Sequence, residues 1–478
     1  MAPTAVRVVA LTAEPTVVLT VVRVVALTVA RMPAPTVAPT VAQAADLEVT
    51  HAQGGAGRSE RTDRPALRRC THLEPDDFAE RVWGQDASLS TREQLPQGFS
   101  DLLDLDAVDH LVSRQGLRTP FLRVAKNGQT YAPARFTRGG GVGAAITDQV
   151  DDASLSRLFA DGATIVLQAL HRTHAPIVDF AQELAADLGH PVQVNAYVTP
   201  PQAQGFSDHY DVHDVFVLQV AGEKRWFIHE PVLRHPARDQ PWTDRRAAVE
   251  QAARTEPLLD VVLRPGDALY LPAGYLHAAQ ALGETSAHLT VGVHVWTRGH
   301  LLAEILAQLQ TVESLREPLP LGIDVTDPAS VALELAETVD SLRAALPDVT
   351  ADAVAGRLRA AAASAVRAEP IGPMAQARAV GGLDLWSSLR WRRHLAAQVR
   401  PDGDQIMVQT AETTLRLPLA AEPALRRLLA GETLTVAELG ANEGSDAAVD
   451  APLDAPLGDT DRLELAGLLL RHAVVVPA

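Results

Sequence analysis

His209 and Asp211 stand two residues apart in Asp208-His209-Tyr210-Asp211, and His277 closes the run Leu269–His277. In an extended strand, alternate side chains point to one face, so His209 and Asp211 would present an imidazole and a carboxylate together. Two imidazoles and a carboxylate are the donor set that holds non-haem Fe(II) while leaving coordination positions open. His277 is the candidate for the second imidazole. It follows a turn (Arg264-Pro265-Gly266-Asp267), a short apolar strand and a second turn (Pro272-Ala273-Gly274), a pattern that returns a β-structure beside its first metal-binding strand. His213 also shares a side with Asp211, but a set built on it would reverse the His-first order.

Lys224 sits in Lys224-Arg225-Trp226-Phe227-Ile228, where alternation puts it on one face with Trp226 and Ile228 and puts Arg225 on the other. A lysine facing inward needs an anionic partner, because an unpaired buried ammonium is costly. A dicarboxylate cosubstrate would supply one. In Ala287–Trp296 the apolar residues Ala287, Leu289, Val291, Val293 and Val295 share one face, and His288, Thr290, Gly292 and His294 share the other. A polar inner face is expected where a barrel encloses a site.

These residues must be positioned by the rest of the chain. Glu74 to Trp83 reads as a capped helix start, Asp101–Gln115 and Asp152–Ala160 as short helices, and Ala175–Leu188 as a longer one stopped at Gly189. From Val192 to Trp296, short alternating runs punctuated by turns predict a sandwich or barrel. After Gly299 the pattern becomes helical, over Leu301–Val312, Ala329–Ala345 and Ala351–Val366. The end of the chain reads as a third unit: alternation over Ile406–Leu417, a helix at Glu422–Leu429, a capped turn at Thr435–Leu439, an acidic loop at Asp446–Asp459, a helix at Thr460–His472 and an end strand at Ala473–Pro477. Short helices followed by a β-ribbon suggest a winged-helix arrangement, and its acidic surface points to protein contact rather than DNA readout.

At 478 residues, two or three domains are expected. A net charge of −17 argues against a dominant nucleic-acid surface, and the single cysteine, Cys70, excludes an intramolecular disulfide framework and fits a cytoplasmic protein. Residues 1–65 differ from the rest: VRVVALT occurs at Val6–Thr12 and again at Val22–Thr28, before the Pro-rich run Pro33–Val41. A disordered or mis-annotated extension is expected there in preference to an export signal.

The sequence resembles the cupin-fold JmjC oxygenases called ribosomal oxygenases, from about residue 66 onward and most densely over 195–230 and 261–296. The family's Asn-x-Tyr-x-Thr-Pro segment appears as Asn195-Ala196-Tyr197-Val198-Thr199-Pro200, and its His-x-Asp as His209-Tyr210-Asp211. Its basic residue before a tryptophan falls on Lys224, fifteen positions after His209. Its second metal histidine falls on His277, and its His-Leu-Thr strand on His288-Leu289-Thr290. One departure stands out: some members have serine where this chain has Gly292.

The resemblance implies an α+β chain. A double-stranded β-helix catalytic domain would occupy 66–299, a helical dimerisation segment 300–370, and a winged-helix-like domain 371–478. It implies Fe(II)-, 2-oxoglutarate- and O2-dependent hydroxylation of a protein side chain, at His or Arg of a ribosomal protein, by a homodimer without membrane attachment or sequence-specific DNA binding. His209, Asp211 and His277 would hold the metal, Lys224, Asn195 and Thr290 the cosubstrate, and Tyr197 would line the substrate side. Two alternatives stay open: a cupin dioxygenase or isomerase that uses no 2-oxoglutarate, and a non-catalytic dimeric protein-binding module.

Overall fold

The computed structural model describes residues 63–440, except 202 and 204–206, and residues 457–478. The expectations for the N-terminal extension fall on residues 1–62, and most of the acidic loop falls on 441–456, both outside the described residues.

The chain enters through two short helices, Pro65–Arg68 and Pro75–Arg81, each opened by a proline in its first turn, where a missing N–H is no loss. Strand β1 (Ser88–Ser90) and the helix Leu105–Arg114 follow. That helix is shorter than the expected 101–115, because Asp104 is its N-cap and accepts the Ala107 amide. Next come β2 (Leu122–Lys126), β3 (Gln129–Thr130) and a small ribbon of β4 (Thr137–Arg138) and β5 (Gln149–Val150). The helix Asp152–Ala160, β6 (Thr164–Leu167) and the helix Ala175–Leu188 lead to β7 (Val192–Thr199). Gly189 ends the last helix in the left-handed region at φ 71°, as expected of a C-terminal glycine.

The centre of the fold is a ribbon of two long strands, β8 (Asp214–Pro231) and, after β9 (Leu259–Leu263) and β10 (Ala268–Leu271), β11 (Tyr275–Val293). They anchor an antiparallel nine-stranded sheet of order β1-β10-β8-β11-β7-β6-β2-β3, with β9 beside the outer half of β8. The helix Arg246–Ala252 interrupts this β region and was not expected; it packs Val249 against Tyr210 and Leu276. Phe216, Leu218 and Val220 of β8 and Leu289, Val291 and Val293 of β11 pack with Phe78, Phe180 and Leu184 of the flanking helices. Full burial of each such side chain contributes roughly 1.5–3 kcal/mol. The opposite face carries Val215 and Val217, then Trp226 and Ile228, in one interior cluster with Leu263, Leu269 and Leu271.

Inward residues of β8 are therefore odd-numbered before the bend and even-numbered after it. The change of parity occurs where the β8–β11 register shifts, between Leu282 and Ala287 on β11. An extra residue at a bulge flips the alternation and bends the strand. Gly222 marks the bend on β8, at φ 59°, and a Cβ there would lie 2.3 Å from the Thr285 carbonyl oxygen. Only glycine fits both constraints. Gln219, fully buried, braces the bend by donating to the Ala221 and Gly222 carbonyls and to Ser286 Oγ, each at 2.9 Å.

Beyond the sheet, three helices follow at Arg298–Leu309, Pro328–Ala345 and Ala351–Ala365. Only Leu309 and Ala345 are buried among them, while Leu302, Leu333 and Leu335 are exposed. The C-terminal part holds the helices Pro373–Gly381, Glu422–Leu429 and Asp459–Arg471 with six strands: β12 (Ser388–Trp391), β13 (Ala397–Asp402), β14 (Gln405–Thr410), β15 (Thr414–Pro418), β16 (Thr433–Thr435) and β17 (Val475–Pro477). They form two three-stranded sheets, β16-β12-β17 and β13-β14-β15, around a separate core that includes Leu389, Ile406, Leu425, Leu428 and Leu469. The expected alternation over 406–417 is two strands, β14 and β15, because Ala411–Thr413 turns the chain.

Candidate metal and anion site

The structure corrects the setting of His209 and Asp211. They lie in a bridge segment before β8 rather than in a regular strand, with His209 paired to His277 as an isolated bridge. The His209 amide donates to the His277 carbonyl (3.2 Å), and the His277 amide donates back (2.9 Å). The Gly274 amide donates to the Asp211 carbonyl at 2.9 Å. Alternation still holds locally, because Tyr210 points the other way, into a small core with Val249 and Leu276, and its hydroxyl donates to the Gln240 carbonyl. The turn before His277 requires Gly274, whose φ is 92° and whose Cβ would meet the Leu233 carbonyl oxygen at 2.0 Å.

One nitrogen of His209, one of His277 and one carboxylate oxygen of Asp211 lie within 4.8 Å of one another. His209 Nδ1 is 2.8 Å from the Ser207 carbonyl oxygen and His277 Nδ1 is 3.0 Å from that of Tyr275. A carbonyl only accepts, so each Nδ1 carries the proton and each Nε2 keeps its lone pair. Backbone carbonyls commonly fix metal-binding imidazoles in this way. Burial, reinforced by the neighbouring His209, lowers the His277 pKa to about 4. Burial alone would raise the Asp211 pKa, but His209, His213, His277 and Arg123 outweigh it and hold the carboxyl below its ordinary value. The 3.9 Å contact between His277 Nε2 and Asp211 is thus one of a neutral imidazole with a carboxylate rather than an ion pair. Two imidazoles with Nδ1 on backbone carbonyls and one carboxylate fit a divalent first-row metal.

Beside this group is a cavity of about 280 Å³, lined among others by Lys224, Trp226, His288 and Thr290. Lys224 is 4% exposed, and its Nζ donates to Thr199 Oγ1 at 3.2 Å. Among the described residues it forms no ion pair, and burial lowers its pKa to about 7. Arg225 takes the opposite face, as expected, and binds Asp260 through two hydrogen bonds of 2.7 and 2.6 Å. His288 stacks on Tyr197 at 5.1 Å with 3° between the rings, and meets Trp226 edge-on.

A second cavity of about 350 Å³ adjoins the first, sharing Arg123, Tyr197, Asp211 and Thr290 with it. Asn195 lines this second cavity and not the one with Lys224; its carboxamide oxygen accepts the Ala169 amide at 3.0 Å. Tyr197 and Thr290 face both. His213 stays outside the metal-type group and lies next to Gly292, where a Cβ would sit 3.1 Å from its Cε1. His294 meets His213 edge-on at 5.3 Å and lines neither cavity.

Arg123 and Trp242 were not anticipated. Arg123 alternates with the buried Leu122 and Val124 on β2, and that inward-facing arginine was the available signal. Its guanidinium is 3.5 Å from the Tyr197 hydroxyl, at the long end of hydrogen bonding. Trp242 comes from a turn far along the chain, its ring 6.5 Å from that of His209, and no local pattern marks it.

In comparison with known proteins, residues 171–301 match the JmjC domain family model. Human ribosomal oxygenase 1 is 31% identical over 225 residues, which cover 46% of this chain and 33% of that protein. The bifunctional lysine-specific demethylase and histidyl-hydroxylase NO66 of Drosophila persimilis is 38% identical over 139 residues, covering 28% of this chain and 19% of that protein. The matches thus span a third or less of these relatives' own length. The crystal structure of the Escherichia coli ribosomal oxygenase YcfD matches over 86% of this chain and 99% of that one, at 17% identity and a TM-score of 0.48.

Proposed function

From the premise that residues 171–301 are a JmjC domain, we propose that the protein is an Fe(II)- and 2-oxoglutarate-dependent oxygenase that hydroxylates a histidine or arginine of a ribosomal protein. The observation that supports it best is Lys224, a buried cation without an ion pair among the described residues, in the same cavity as a two-histidine, one-aspartate donor set. A dicarboxylate is the ligand that answers both halves of that cavity.

In this reading His209, Asp211 and His277 hold Fe(II). The metal, when bound, supplies activation of O2 coupled to decarboxylation of 2-oxoglutarate to succinate and CO2, with the second oxygen atom going to a C–H bond. The chain's own part is geometric and electrostatic. The Ser207 and Tyr275 carbonyls keep the two Nε2 lone pairs free for the metal. Lys224, oriented by Thr199, binds the distal carboxylate as a charge-assisted pair. Trp226, His288 and Tyr197 wall the cavity and exclude water, Thr290 faces the cosubstrate, and Tyr197 also faces the second cavity.

Anaerobic titration with Fe(II) and 2-oxoglutarate tests the reading. A visible metal-to-ligand charge-transfer band that requires both, and succinate release on admitting O2, are expected. Absence of both would favour a binding module, and turnover independent of 2-oxoglutarate would favour another cupin chemistry.

We also read 66–299 as the catalytic domain, 300–370 as a dimerisation segment and 371–478 as a winged-helix-like domain that contacts protein rather than DNA, in a cytoplasmic homodimer. Among the described residues no helix is long and apolar enough to cross a membrane. The dimer rests on the three helices that bury almost nothing of their own while exposing Leu302, Leu333 and Leu335. Exposed leucines on helices with so little core of their own are the feature that supports an interface. Light scattering is expected to give a dimer for the wild type and a monomer for Leu302→Glu/Leu333→Glu; a monomeric wild type would remove the interface.

A further inference from the structure

Asp214 opens β8, three residues after Asp211, and is 5% exposed. A buried carboxylate is costly unless its oxygens are hydrogen-bonded. Among the described residues Asp214 forms no ion pair. Each of its oxygens instead takes one donor: Oδ1 accepts the Ala273 amide at 2.9 Å and Oδ2 accepts the Tyr270 hydroxyl at 2.5 Å. That hydroxyl also accepts the Gly84 amide at 2.8 Å, and its ring packs against Phe78 and Phe216 at 5.0 and 4.9 Å. The carboxylate therefore ties the aromatic core to the turn Pro272-Ala273-Gly274.

The next amide of the same turn, that of Gly274, donates to the Asp211 carbonyl. Two consecutive amides are thus held from the β8 side, one by the Asp214 side chain and one by the Asp211 backbone. Three residues beyond Gly274 stands His277, its Nδ1 on the Tyr275 carbonyl. Packing alone does not call for a carboxylate here, because hydrogen-bonded partners can be exchanged for apolar groups of the same shape at little cost. What the carboxylate adds is a fixed spacing between the segment with Asp211 and the turn that leads to His277. Resting on the metal-binding reading above, we infer that Asp214 is a positioning residue for the metal: through the Ala273 amide it sets His277 against Asp211, and Tyr270 orients it. Neither side chain belongs to the donor set.

The test is Co(II) titration of the full-length protein, read by the visible absorption of the bound ion and by the metal-dependent rise in Tm. Asp214→Ala is expected to lower Co(II) affinity by about 10–100-fold, as loss of a group that orients a metal ligand does, and to alter the absorption of the ion still bound. Asp214→Asn keeps an oxygen for the Ala273 amide and should recover most of the affinity. Leu425→Ala, in the separate C-terminal core, controls for stability: it should lower the metal-free Tm and leave Co(II) affinity unchanged. Wild-type affinity in a folded Asp214→Ala protein overturns the inference, and so does an equal loss in Leu425→Ala. Should Asp214→Ala not fold, Tyr270→Phe decides: lowered affinity supports the inference and wild-type affinity overturns it. A wild-type protein that binds no Co(II) removes the metal-binding reading itself.

Discussion

Replacing Asp211 by alanine is expected to lower metal affinity by about 100-fold or more, since loss even of a group that merely orients a ligand costs 10–100-fold, and to remove turnover with it. The informative readout is thermal. A metal that binds only the folded protein stabilises it by roughly 2.7 kcal/mol at a hundredfold excess over its dissociation constant. The wild type should therefore show a rise in Tm with Fe(II) or a redox-inert substitute, and Asp211→Ala should show none. In the variant His209 and His277 keep their Nδ1 contacts to backbone carbonyls, while Arg123 loses the carboxylate it faces, so the metal-dependent shift is compared with each protein's own metal-free Tm. An Asp211→Ala protein that keeps its metal-dependent Tm shift would remove the triad assignment.

Lys224→Met should act in two directions. The loss of the ammonium is expected to raise the KM for 2-oxoglutarate by about 100-fold or more, because a buried charge-assisted pair is broken on one side only. The same substitution should stabilise the ligand-free protein near neutral pH. The sign follows from linkage: the folded-state pKa is lowered to about 7 from the ordinary 10.5. The folded protein therefore binds fewer protons than the unfolded chain between those values, and stability rises with pH across that window. The penalty is complete below pH 7, is of order 5 kcal/mol, and vanishes above pH 10.5. Lys224→Met should thus gain Tm at pH 6–7 and little at high pH. For the wild type, cosubstrate binding at pH 8 should take up a proton, seen by calorimetry in buffers of different ionisation heat. Binding without proton uptake, together with an unchanged KM in the variant, would show that Lys224 faces no carboxylate.

The donor set was legible because each member carried its own local signal. The two-residue spacing brought His209 and Asp211 together, and the Pro-Ala-Gly turn brought back His277. The residues sit in a bridge segment instead of a strand, yet the outcome is the same, because Tyr210 is drawn into its own small core and forces its neighbours to the opposite side. Lys224 was legible from alternation within 224–228. Asn195 was not fully so: its position on β7 is visible, but the contact of its carboxamide with the Ala169 amide depends on a loop packed against that strand. Arg123 carried one local sign, its place between Leu122 and Val124 on β2, but that it and Trp242 reach this site depends on distant parts of the chain, which periodicity within a window does not show. The helix Arg246–Ala252 was hidden because its seven residues bury only Val249, too few to set a periodic pattern.

The bend at Gly222 has a chemical consequence. Because alternation restarts there, the outer half of β8 could in principle slip by one residue without disturbing the inner half, and Arg225 would then point inward in place of Lys224. A planar guanidinium would replace a compact ammonium, with a different reach and a charge that never titrates. Asp260 on the neighbouring strand holds Arg225 outside through both oxygens. That exposed pair does little for stability. What keeps Lys224 rather than Arg225 at the cavity is the burial of Trp226 and Ile228 on the same face, which a one-residue slip would turn out to solvent.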